Sequence, residues 1–393
     1  MNNSHYKKIL IVPGTEFLGA YSGTRYLIEN LQSAGVPVKV WIRCSKEDFN
    51  EYSKLPFSCS IFLKKTTGYY VLRRLSSLIF RILVFFKMLS ARRVLITEST
   101  YLREAALVKK IKGRFFILIQ FCQELHTPEE YPGLEIATRY ERFAQVPDMV
   151  IDVEPNRAKI RMERFGLKKL PAVLYNTIPL NSLPMKAPEG TLASLAGLTS
   201  FNNLPILLHM GGIGAEKPLD RIIDAIAFSK STVFFLAFCN GPSEKIETLR
   251  AYAESKLVTG RFRILQALPR EILLASAWEA DIGIIDYTYS VQPSSNQKFC
   301  APSKLYEFLA LELAVLCSSN KSLKDIVEKE KIGICAKGDL IEDLGEALRN
   351  LLSVPKDLLT MKKRARKVFV EKYSYEKLCL SVLNEKIVKQ MYK

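Results

Sequence analysis

Short apolar runs alternate with amphipathic stretches of helical period through two long parts of this sequence, and that alternation narrows the fold more than any single residue does. "KILIVPG" reads as a short buried strand, "TEFLGAYSG" as a loop, "TRYLIENLQSAG" as a helix closed by Gly35, and "VPVKVWIR" as the next strand. "RRVLITES", "GRFFILIQF" and "PDMVIDVE" continue the strand series. Such alternation implies a parallel sheet covered on both faces. Residues 181–204 break the rhythm, because they are rich in Pro, Gly, Ser and Asn and read as a linker. The series restarts at "PILLHMGG" and runs through "TVFFLAFC", "FRILQAL", "DIGIIDY", "AVLCSS" and "IGICAK". The expectation is an α/β protein with two doubly wound domains, residues 1–180 and 205–375. Residues 376–393 would form a C-terminal helix able to pack back on the first domain. A ligand would sit in the cleft that the two domains face.

Composition decides what such a protein meets. The net charge is +17, and through Pro179 there are 28 lysines and arginines against 16 acids, so most of the excess lies in the first half. That half should meet something anionic: nucleic acid, a phospholipid surface or a phosphorylated substrate. Eight cysteines with no C-x-x-C pair read as reduced thiols of a cytosolic protein, and three histidines leave little for a metal site. Lys7 and Lys8 lead straight into "ILIV", which is too short for a secretory apolar region. No Walker, G-x-S-x-G or D-x-D motif is present.

The stretch 69–93, "YYVLRRLSSLIFRILVFFKMLSARR", departs from the pattern. Arg81 and Lys87 cut its apolar run below the length that spans a bilayer. On a helix, Leu72, Leu75, Ile79, Ile82, Leu83 and Phe86 share one face, and Arg73, Ser77 and Arg81 another. An interfacial membrane helix needs those two faces, and Lys64, Lys65, Arg92 and Arg93 flank it. A helix packed on the sheet with a solvated Arg stripe is the alternative.

One carboxylate stands out chemically. In "APSKLYEFLALELAVLCSS", Pro302 suits the first helical position, so the turn Pro302-Ser303-Lys304-Leu305 offers unpaired N–H groups and a positive dipole end to an anion such as a diphosphate. Glu307 lies one turn on, between Tyr306 and Phe308, where a carboxylate needs donors. The two vicinal hydroxyls of a ribose would supply them. An i, i+3 pair between Lys304 and Glu307 would equally satisfy it.

These residues resemble the C-terminal signature of the family-four (group one) glycosyltransferases, roughly Pro-x-Lys-x-x-Glu-aromatic-Leu-Ala followed by a strand. "LLHMGGIGAEKPLDRIIDAI" is similar to the strand–Gly–Lys–helix segment that opens the family's donor domain. "GAYSGTRYLIENLQSAGVPVKV" resembles its first Gly-rich loop and helix, and "CQELHTPEEY", "EPNRAKI" and "VLYNTIP" the middle of its acceptor domain. The resemblance implies the GT-B architecture, two Rossmann-like domains facing a central cleft. The implied activity is metal-independent transfer of a sugar from a nucleotide diphosphate donor, usually with retention.

By position, Glu307 would hold the ribose and Lys217 would neutralise the leaving diphosphate. Gly211, Gly212 and Gly214 would let backbone approach the phosphates, with Ser295 and Asn296 adding polar groups. Ser22 and Gly23 fit the loop under the donor sugar. Arg25 and Arg157 are candidates for the acceptor. Either Glu124 or His126 takes the place of the family's acceptor-domain His or Glu. Departures are Phe299 where a second glutamate is common, Gly212 or Ile213 where a basic residue is, and Glu312 and Ala314 for a glycine and a proline.

The expected role is a cytoplasmic, membrane-surface glycosyltransferase of polysaccharide or glycolipid synthesis. Its partners would be a nucleotide sugar, a lipid-linked or glycan acceptor and an anionic bilayer, with no nucleic acid and no cofactor. A nucleotide-sugar epimerase and a degenerate nucleotide-sugar-binding protein are the alternatives.

Overall fold

The computed structural model describes residues 8–13, 22–44, 59–63, 70–214, 218–287 and 294–382. Two compact units divide the chain: Met1–Tyr175 together with Leu378–Lys393, and Asn176–Lys377. The α/β class and the two doubly wound units expected from the alternation are both present.

In the first unit the strands are β1 (Ile9–Val12), β2 (Val38–Cys44), β3 (Cys59–Leu63), β4 (Arg93–Thr97), β5 (Ile117–Cys122), β6 (Met149–Asp152) and β7 (Ala172–Val173). All pair in parallel, in the order β3-β2-β1-β4-β5-β6-β7. Burial on both faces explains the apolar runs of β1 and β4, whereas β2 carries the part-exposed Lys39 and Arg43. Helix α1 (Ser22–Ser33) follows β1; α2 (Tyr70–Ser90) and α3 (Leu102–Lys112) flank β4; α4 (Pro155–Phe165) follows β6. Ser22 and Gly23, expected in the loop, are the first residues of α1. The side chain of Ser22 and those of Leu72 and Arg73 lie outside the described ones, as do Lys64 and Lys65.

Helix α2 corrects the expected facing. Phe80, Val84 and Met88, at i, i+4, i+8, are its buried stripe and pack with Trp41, Val94, Ile96 and Leu102. Arg81 is not solvated: its guanidinium turns inward onto Glu104 of α3 at 2.6 Å. The stripe Leu75, Ile79, Ile82 and Phe86 stays exposed.

The second unit carries β8 (Ile206–Gly212), β9 (Phe234–Asn240), β10 (Phe262–Gln266), β11 (Ile282–Ile285), β12 (Ala314–Cys317) and β13 (Gly333–Cys335), in the order β10-β9-β8-β11-β12-β13. Its topological switch lies between β8 and β11. Those two strands pair only at Ile282–Leu207 and Gly283–Leu208, whereas β8 continues alongside β9 to Gly212. The sheet therefore parts at the carboxyl ends of β8 and β11, the usual ligand position in such folds.

The stretch 181–204 is not loose. Thr191–Leu195 forms a short helix with Leu192 and Ala193 buried, and Glu279 accepts hydrogen bonds from the N–H groups of Gly190 and Leu192 at 3.0 Å each. Pro and Gly marked turns there, and turns pack as well as helices do. Of the expected C-terminal helix, Tyr375–Val382 is helical, and residues 383–393 lie outside the described ones.

Candidate functional site

In the second unit the site is built on three further helices, α5 (Arg270–Ser276), α6 (Ser295–Lys298) and α7 (Ser303–Ala310). Leu305, Tyr306, Phe308, Leu309 and Ala310 of α7 are buried, which leaves Ser303, Lys304 and Glu307 as its only part-exposed stripe. Pro302 is the N-cap rather than the first helical residue, with φ −72° and ψ 129°. Proline offers no side-chain acceptor, so nothing on the cap competes for the N–H groups of the first turn. Asn176 donates to the Ala301 carbonyl at 3.0 Å and fixes the chain entering the helix.

Gly283 of β11 sets how close α7 lies. A Cβ there would stand 2.2 Å from the Phe308 ring. Gly283→Ala is expected to cost about 1–3 kcal/mol by overpacking and to weaken nucleotide binding, since Phe308 cannot shift without Glu307. A urea midpoint and a titration with nucleotide diphosphate would read the two effects. At the other end, Glu312 holds φ +61°, the left-handed conformation that a glycine takes without strain. Glu312→Gly should raise stability by about 1 kcal/mol, checked in the same denaturation.

Lys304 is the pivot of the site. Its Nζ lies 3.5 Å from where a Cβ of Gly211 would be, and Gly211, at the end of β8, has φ +124°. The Lys304 charge also acts on Cys239 of the neighbouring strand. An ammonium, a glycine turn and a helix tip thus converge at the parted end of the sheet, and those are the parts of a phosphate site. Gly211 alone of the three candidate glycines needs its special backbone. A Cβ on Gly212 would meet only Asn240 O at 3.9 Å, and one on Gly214 would meet nothing within 4 Å. Lys217 lies outside the described residues.

Glu307 does not pair with Lys304. Its Oε1 accepts from Arg270, with Nη2 at 2.6 Å and Nε at 3.1 Å. Arg270 opens α5 and is half-exposed, while the Glu307 side chain is 12% exposed. Thus the carboxylate is oriented and reachable. Ser295 and Asn296 sit on α6, whose N-terminus is closed by a reciprocal Ser294–Gln297 capping box, and the buried Asn320 donates to Gln297 O at 2.9 Å. Sequence reading missed Asp286, which is buried at the end of β11 and paired with Arg221 at 2.9 Å; burial pushes its carboxyl up.

In the first unit the "QELH" loop is held from beneath. Glu98, buried just after β4 with φ +54°, accepts from Gln123 N at 2.7 Å, Glu124 N at 3.2 Å and Tyr140 Oη at 2.6 Å. Arg157 of α4 is buried and donates to Gln123 O and to the Glu124 carboxylate, at 2.8 and 3.2 Å. It supports the loop from below, where an acceptor contact was expected. Arg161 donates to Glu124 O and, at 2.7 Å, to the fully buried Asp152. This bracing leaves the Glu124 side chain 40% exposed.

His126 lies against Tyr131 and Tyr140, ring centroids 5.1 and 6.5 Å away, and its Nδ1 has no hydrogen-bond partner. Burial holds its imidazole below the usual 6.5. The unfolded chain therefore takes up this proton first as pH falls through about 6.5, and stability declines with it. His126→Phe should flatten that part of a stability–pH curve. Arg25 pairs at 2.8 Å with Glu29 on its own exposed helix face.

The family model described as "Glycosyl transferases group 1" matches residues 195–368, which carry β8 to β13, Lys304 and Glu307. These residues form a group 1 glycosyltransferase domain. The whole chain has the GT-B fold of solved glycosyltransferases. It is similar to Anabaena Alr3699/HepE, solved in complex with UDP-glucose, with a TM-score of 0.75, 14% identity, and 98% of this chain and 100% of that one covered. A glycosyltransferase from Rickettsia africae gives 0.74 at 14% identity over 99% of each chain. Sucrose-phosphate synthase from Thermosynechococcus elongatus gives 0.73 at 16%, over 98% and 99%. No curated protein matches the sequence. In this glycosyltransferase domain Arg270 escaped the sequence reading because its partner is 37 residues away. The cue was an arginine opening a helix, against the dipole.

Proposed function

We propose that the protein transfers a sugar from a nucleoside diphosphate to a lipid-linked or glycan acceptor, without a metal and with retention at the anomeric carbon. The observation that carries this reading is the Lys304 ammonium set over Gly211 at the tip of α7, with the Glu307 carboxylate one turn on. Phosphoryl oxygens fit the first two groups and ribose hydroxyls the third. Charge that builds on the departing diphosphate would be met by Lys304 and by Lys217, whose role rests on the resemblance. Glu124, part-exposed on a loop with a fixed backbone, is better placed to meet a substrate than the half-buried His126. A lipid-borne acceptor and a station on the cytoplasmic face of a membrane, in polysaccharide or glycolipid synthesis, complete the proposal. They are supported by the basic first half.

The test is thermal. UDP is the first ligand to try, because the Anabaena neighbour holds UDP-glucose. A ligand at 100 times its dissociation constant adds about 2.7 kcal/mol. UDP, GDP and ADP, each with and without its sugar, should separate on melting temperature. If none raises it, and no sugar nucleotide is consumed with acceptor present, the transferase reading fails.

A further inference from the structure

Eight of the seventeen large apolar side chains exposed among the described residues fall between Leu75 and Phe115. Five are on α2: Leu75, Leu78, Ile79, Ile82 and Phe86, each 47–59% exposed. Three more, Leu107 and Ile111 of α3 and Phe115 in the turn after it, are 51–64% exposed. None of these is needed for packing, because both helices bury a different stripe. Phe80, Val84 and Met88 of α2, and Leu102, Ala105 and Val108 of α3, enter one core on the same side of the sheet. Their outer faces therefore point away from that core side by side. The pair is locked: Arg81 binds Glu104 at 2.6 Å, and Lys112 Nζ of α3 donates to the carbonyls of Leu89 and Ala91 at 2.9 and 2.5 Å.

The exposed charge on these two helices and their turn has one sign, while from neighbouring elements Glu135 lies near Arg103 and Asp148 pairs with Lys109. Arg74, Lys87, Arg92, Arg103, Lys110 and Arg114 are exposed. The only acids from residue 70 to 116 are Glu98 and Glu104, both buried and hydrogen-bonded within the unit. An aliphatic and aromatic centre with a largely cationic rim matches acyl chains beneath anionic headgroups. A second copy fits badly, since a two-fold contact through this patch would set six cations against six. No described helix is long and apolar enough to cross a membrane.

The geometry points to a two-helix platform, α2 with α3 and its following turn, that lays the first unit on the surface of an anionic phospholipid bilayer. It deepens the proposed transferase reading, in which the acceptor is lipid-borne, but the contact itself does not depend on sugar transfer. Flotation with phosphatidylcholine vesicles, with and without phosphatidylglycerol, tests it on the full chain. Wild type should float with the anionic vesicles only and release as salt rises. The pairs Ile82→Glu with Phe86→Glu and Ile111→Glu with Phe115→Glu should each cut the floated fraction at least tenfold. Neither pair should alter the melting temperature or its shift with nucleotide.

Equal binding to neutral vesicles, or to none, overturns the inference. So does undiminished flotation of the Ile111/Phe115 pair, which would take α3 out of the platform. A wild-type dimer by light scattering that either pair dissociates would assign the patch to self-association. The nucleotide shift reports separately on the second unit, so loss of flotation with that shift intact cannot be mistaken for failure of the transferase reading.

Discussion

Glu307→Ala should weaken nucleotide diphosphate binding by roughly tenfold to a hundredfold while leaving the fold intact. A hydrogen bond to a carboxylate contributes about 1.5–3 kcal/mol, and each 1.4 kcal/mol is about tenfold in affinity. The stability cost is small because the group left behind, Arg270, is half-exposed and keeps its water. Calorimetric titration of wild type and variant with UDP or the diphosphate found best in the thermal screen gives the number. Free inorganic pyrophosphate should bind both proteins alike, since it carries no ribose. Unchanged nucleotide affinity in the variant would remove Glu307 from the site. Arg270→Ala serves as the companion measurement. A half-exposed pair contributes about 1 kcal/mol or less, so freeing Glu307 from it should change affinity by less than tenfold.

The second large effect is structural. Asp152→Ala should destabilise the first unit by about 3–5 kcal/mol, because it strands the Arg161 guanidinium, 2% exposed, without its carboxylate. Asp152 also caps the turn after β6 by accepting from Val153 N and Glu154 N at 2.8 and 3.3 Å. Against a usual domain stability of about 5–15 kcal/mol, a loss of that size is visible as a large drop in urea midpoint. The double change Asp152→Ala with Arg161→Met should recover part of it, since the stranded charge is gone. If the double variant is no more stable than the single, the buried pair is not the source of the loss. Arg161 also donates to Glu124 O, so the single variant should loosen the "QELH" loop as well.

Much of this protein was readable from its residues in order. Alternating apolar runs and helical stretches gave two parallel α/β units, because strands buried on both faces are predominantly apolar. The spacing of Ser303, Lys304 and Glu307 gave one stripe of one helix, since Glu307 stands four residues from Ser303 and three from Lys304. The partners were not readable. Glu307 meets Arg270 and Glu124 meets Arg157 across 37 and 33 residues, and pairing at that range is set by how the elements stack. For the same reason the surroundings of Glu124 and His126, namely Glu98 and two tyrosines, were not readable in the sequence.

Helix α2 marks the dividing line. Its sequence determined that it is a helix with too much apolar surface, in two stripes. Which stripe goes inside was decided by the sheet: Trp41, Val94 and Ile96 offer a surface that Phe80, Val84 and Met88 fill, and Arg81 reaches Glu104 only in that orientation. Periodicity is a property of the chain, whereas burial depends on what the rest of the chain places opposite it.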